Sequence, residues 1–91
     1  MKTTYKINNT IYVISDHMAG IIERYVEERL HPGDFLTAVI CNDLAGAIGR
    51  ADEENIKNLP AYVSYFRWEA PGKCWGSKQK MEAWLKGGKL L

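Results

Sequence analysis

Hydrophobic and polar positions along this chain change their period several times, and each change marks an element. Tyr5, Ile7, Ile11, Tyr12, Val13 and Ile14 are strand formers. Asn8-Asn9 interrupts them. Asparagine tolerates positive φ, so the pair predicts a two-residue hairpin turn that sets Tyr5 opposite Tyr12 and Ile7 opposite Thr10. A lone hairpin is marginal in water, so it must pack on helices or pair with a second chain.

A helical period then takes over. Ser15 or Asp16 can cap a first helix, and Met18, Ile21, Ile22, Tyr25, Val26 and Leu30 form one apolar stripe along it. His31-Pro32-Gly33 ends that helix, because proline disfavours helix at the residue before it. A second helix is expected over Asp34–Ile48, apolar nearly all round and therefore buried on most sides. Gly49 is placed to follow its last turn. Asp52 caps a third helix, with Glu53 and Glu54 near the positive end of the dipole and Ile56, Leu59, Val63 and Phe66 as its buried stripe. Pro60 lies inside that stripe and would cost about 3 kcal/mol in an unbroken helix, which predicts a kink or break near Asn58-Leu59. Ser77 caps a fourth helix with Met81, Trp84 and Leu85 inward. Gly87-Gly88 stops it, and Lys89-Leu90-Leu91 is expected to fray. The expected fold is mainly α: one domain over residues 1–91, with a β-hairpin or extended arm at 1–14 and a compact four-helix core at 15–87.

Composition narrows the functional classes. Ninety-one residues, 46% hydrophobic and 25% charged, make one small globular domain. A formal net charge of +1 argues against a general nucleic-acid partner. Cys41 and Cys74 have no metal-binding spacing, and no apolar run suits a signal peptide or a membrane span. The expected setting is the cytoplasm, with reduced thiols. No cofactor and no metal are expected. A small core and an exposed hairpin edge favour a homodimer.

Several uncommon residues recur in an order that resembles a group of small phage and prophage proteins of unassigned function. They are Pro32-Gly33-Asp34-Phe35-Leu36-Thr37-Ala38-Val39, Asn42-Asp43-Leu44, Gly49-Arg50-Ala51-Asp52-Glu53-Glu54-Asn55 and Glu69-Ala70-Pro71-Gly72-Lys73-Cys74-Trp75-Gly76-Ser77, with Trp84-Leu85. The likeness runs from about Ile21 to Leu85; Pro60 departs from it, where the group continues a helix. It implies a viral origin, a helical fold and a host bacterial cytoplasm. It carries no activity and no catalytic residues.

Six residues stand out as candidate ligand contacts. Asn42 and Asp43 are polar within the apolar second helix. An unpaired buried carboxylate costs several kcal/mol, so Asp43 must meet Arg50, Arg24 or a tyrosine hydroxyl, or else reach solvent. Alternatively the pair reads polar groups of a ligand. Ser77 and Lys78 follow Gly76 at a helix start, where free N–H groups suit an anion; an ordinary cap is the simpler reading. Trp75 either stacks on a nucleobase or packs its loop on the core. Arg50 can clamp a phosphate or simply sit in a solvated turn. Trp68 and the five tyrosines make either a binding surface or core edges. His17 and His31 are isolated, and no paired-carboxylate, metal or triad constellation is present, so an enzyme is not expected. The leading expectation is a phage accessory protein that binds without catalysis. It would sequester a host nucleotide signal or inhibit a host protein, in the manner of a counter-defence factor. The alternative is a DNA-associated transcriptional regulator, if the second and third helices form a helix-turn-helix, although acids at the start of the third would repel phosphate. A virion assembly role is a further alternative.

Overall fold

The computed structural model describes residues 1–87; the expected stop at Gly88 and fraying of Lys89-Leu90-Leu91 lie outside the described residues. Strand β1 (Thr4–Ile7) pairs antiparallel with β2 (Thr10–Val13). Tyr5 faces Tyr12 and Ile7 faces Thr10, as the sequence predicts. Asn8 and Asn9 adopt φ of 50° and 67°, the left-handed pair that matches the twist of a two-residue turn. The inner face of the hairpin packs on helix α5 (Leu59–Trp68).

Helix α1 (Asp16–Glu28) starts at Ser15, whose hydroxyl accepts the Met18 amide at 3.2 Å. It ends at Glu28, two residues short of the expected last residue Leu30, because Arg29 turns left-handed at φ 59°. Leu30 therefore leaves the predicted stripe and is exposed. Ala19, Ile22 and Tyr25 form the buried line of α1.

The predicted helix Asp34–Ile48 is two helices. Helix α2 (Asp34–Ile40) is buried along Phe35, Leu36, Ala38, Val39 and Ile40. Asn42 then takes φ of 61°, and α3 (Leu44–Arg50) restarts with Asp43 as its cap. The apolar phase is lost at this break. Of α3 only Ala47 is buried, while Leu44 and Ile48 are 64% and 51% exposed. The helix also runs through Gly49 to Arg50.

The third predicted helix breaks where Pro60 demands. Helix α4 (Glu53–Lys57) is capped by Asp52 through the Asn55 amide at 2.7 Å. Helix α5 then places Pro60 in its first turn, where no helical amide is lost. The two pieces bury Asn55, Ala61, Tyr62, Tyr65 and Phe66; Ile56 and Val63, assigned to the inner stripe from their spacing, are exposed. Helix α6 (Lys78–Leu85) follows a short 3-10 turn at Gly72–Cys74 and buries Met81. The mainly α class with an N-terminal hairpin thus stands. The four predicted helices become six among the described residues, because two of them split.

Two polar connections close the core. The Tyr62 hydroxyl donates to the buried Asn55 Oδ1 at 2.7 Å, which pairs both side chains inside the core. The Tyr25 hydroxyl donates to the Cys74 carbonyl at 2.6 Å, and burial pushes its pKa well up. Around it, Trp84 Nε1 donates to the Tyr25 carbonyl at 3.0 Å, and Arg29 donates to the Trp84 carbonyl at 2.9 Å. The Arg29 guanidinium also lies 3.8 Å from the Trp84 ring centroid. These contacts lock α6 against the end of α1.

Candidate functional site

The break at Asn42 creates the site. Because α3 leaves α2 at a turn, a recess of about 460 Å³ opens between α2, the end of α3 and the start of α6. Asp34, Thr37 and Ala38 line it from α2, Cys41 and Asp43 from the turn, Arg50 from α3 and Lys78 from α6. Gly76 holds α6 in place: its amide donates to the Ile40 carbonyl at 2.7 Å, from a backbone with φ of 112° that favours glycine.

Three of the six sequence-selected residues meet here. Asp43 does not meet an arginine or a tyrosine hydroxyl; its Oδ1 accepts the Gly46 amide at 3.0 Å and caps α3. The expected internal salt bridge is absent among the described residues, and Asp43 reaches solvent instead. Arg50 and Lys78 likewise have no carboxylate within ion-pair distance among the described residues. The recess therefore presents two uncommitted cations beside two carboxylates.

The other three residues hold structure. Asn42 takes the left-handed turn and lines an adjoining hollow of about 40 Å³ that shares Ala38 and Asp43 with the recess. Trp75 turns inward and stacks with Phe66 at 6.4 Å between ring centroids. Ser77 caps α6 through the Lys80 amide at 3.1 Å. Trp75 thus makes a core contact and Ser77 an N-cap.

Sequence reasoning missed Asp34, Thr37 and Cys41 as lining residues. Asp34, Thr37 and Cys41 share one face of α2 at helical spacing, a signal hidden by the apolar residues between them. Thr37 Oγ1 donates to the Gly33 carbonyl at 2.7 Å. The Cys41 thiol lies 3.7 Å from Met81 Sδ. Burial raises the Cys41 pKa; Lys78 opposes that shift, and Asp43 and Glu82 add to it. Burial thus favours the thiol over the thiolate.

No family model, curated protein or solved structure matches the chain. No described helix is long and apolar enough to cross a membrane.

Proposed function

We propose that this chain is a phage accessory protein that binds without catalysis and captures a phosphorylated small molecule of the nucleotide class. Such capture would serve counter-defence by sequestering a host signal. One observation carries the reading: Asp43, Arg50 and Lys78, from three separate segments, line one recess, with both cations unpaired among the described residues. Arg50 offers a planar fork to phosphate and Lys78 a point charge. Asp34 and Asp43 accept hydrogen bonds from ribose hydroxyls or an amino group at the other side. The recess volume falls within the range of small-molecule sites. The phage setting rests on the resemblance of the sequence blocks given above, and a host cytoplasm follows from it.

Differential scanning against cyclic and linear nucleotides tests this. A binder raises the melting temperature, and by about 2.7 kcal/mol of stability at a hundredfold excess over Kd. Arg50→Ala and Lys78→Ala, both exposed, leave the unliganded melting temperature nearly unchanged and weaken binding by about tenfold or more each. No shift with millimolar nucleotide removes the small-molecule reading.

A second reading has its own observation. Leu44 and Ile48 present an exposed apolar pair one turn apart on α3, with Val63 exposed beside the hollow that Leu44 lines. Such a surface favours inhibition of a host protein by direct contact. The DNA-regulator alternative fits less well. Helix α4 has five residues and opens on Glu53 and Glu54, a poor shape and charge for a groove-reading helix.

A further inference from the structure

The outer edge of β1 combines three features that the recess does not use. First, its backbone is open. The two-residue turn makes Ile7 and Thr10 a hydrogen-bonded pair, so Tyr5 and Tyr12 form the next one. The Ile14 amide donates to the Thr3 carbonyl at 2.8 Å and continues the alternation. Thr4 and Lys6 must therefore aim their N–H and C=O groups away from β2. On the opposite edge the equivalent Val13 amide is taken by Asn58 Oδ1 at 2.8 Å. Among the described residues nothing takes those of Thr4 or Lys6, and both residues are exposed.

Second, this edge borders a groove. Lys2, Tyr5, Lys6 and Ile7 line one side and Ser64, Trp68 and Glu69 of the α5 end the other, enclosing about 310 Å³. The groove shares no lining residue with the α2–α3–α6 recess. Trp68 is 70% exposed, the most exposed of the large hydrophobic side chains among the described residues. Third, the charge is one-sided. Lys2 and Lys6 stand along the edge, and Arg67 lies 4.8 Å from the Trp68 ring centroid; Glu69 is the single acid lining the groove.

We infer that the β1 edge is a docking site for an extended acidic peptide segment of a partner protein, which adds a third strand to the hairpin. The peptide backbone pairs with Thr4 and Lys6, the mode by which exposed edges recruit strands. Its acidic side chains meet Lys2 and Lys6. An apolar side chain packs on Trp68, where Glu69 disfavours another acid. Charge selects this occupant over a second copy of the chain. Antiparallel pairing of two β1 edges would bring lysines together, and edge lysines oppose such self-pairing.

A fluorescein-labelled hexapeptide alternating glutamate and valine, with a phenylalanine at one end, tests the assignment by anisotropy with the whole chain. Saturable binding is expected, weakened about tenfold by Lys6→Glu and by Trp68→Ala, both at exposed positions. A strand uses only alternate amides, so N-methylation of the peptide in one frame abolishes binding and in the other spares it. Equal tolerance of both methylated frames overturns strand pairing. Equal binding of a lysine-for-glutamate peptide overturns the acidic requirement. Binding of oligothymidylate at the same residues without the peptide overturns the partner class. A dimer of the chain alone that the peptide cannot displace, yet that Lys6→Glu dissolves, assigns the edge to a second copy and also overturns the proposal.

Discussion

Asn42 shows how one residue redirects a chain. Its left-handed backbone, φ of 61°, is tolerated by asparagine and costs other L-residues about 1–2 kcal/mol, with β-branched residues worst. Asn42→Gly is therefore expected to leave stability within a few tenths of a kcal/mol. Asn42→Val should lower it by about 1–2 kcal/mol in urea unfolding. Equal effects of the two would show that the side chain, not the backbone angle, matters. The residues behind the phage resemblance act largely in this way. Asn42 makes a turn, Asp43, Asp52 and Ser77 cap helices, Asn55 satisfies Tyr62, and Gly76 meets α2. In this chain those residues set a backbone path.

At the level of elements, local chemistry was legible and phase was not. Asn8-Asn9, Ser15, Asp52, Pro60 and Ser77 each act through their nearest neighbours, and each sits where its residue type predicts. The break at Asn42 was hidden because the apolar residues on either side of Asn42-Asp43 read as one continuous run, although asparagine itself favours turns and caps. Once the phase reset, Leu44 and Ile48 faced outward. The site suffered likewise. Asp43 and Arg50 stood out as charges in unusual places, but their meeting with Lys78 depends on how α6 docks, which no local pattern encodes. One junction joins distant elements through a single side chain. Asn58 accepts the Val13 amide and donates to the Glu54 carbonyl at 3.0 Å. Asn58→Ala is expected to cost about 1–2 kcal/mol and to release the Val13 amide to fast hydrogen exchange while α2 amides keep their relative protection. Unchanged exchange at Val13 would show that α5 packing alone holds the hairpin.

For the whole molecule, buried phenols and thiols set the alkaline limit. Burial pushes the Cys74 thiol up from 9.0 to about 11, and the Tyr62 phenol from 10.0 to about 12, the latter with help from Asp52 and Glu54. Burial, with Glu69 and Tyr65 adding, likewise takes Tyr5 to about 12. Each raised value means that the folded state keeps a proton the unfolded chain gives up. Their contribution is full below the unfolded values and is lost as pH climbs through the window from about 9 to about 12. The melting temperature should fall steadily across that window, and Cys74→Ala should flatten its lower part. A profile flat to pH 11 would contradict the burial of these groups.

The lock between α1 and α6 also governs when folding can finish. The Tyr25 hydroxyl waits for the Cys74 carbonyl, and the Tyr25 carbonyl, which also accepts the Arg29 amide, gains the Trp84 indole 59 positions further on. During synthesis the first helix therefore emerges long before the groups that satisfy it. Until residue 84 clears the ribosome, the contacts that fasten α6 to Tyr25 and Arg29 are missing. A nascent chain arrested ahead of Trp84 should exert little pulling force, and one arrested after it has left the exit tunnel should pull strongly.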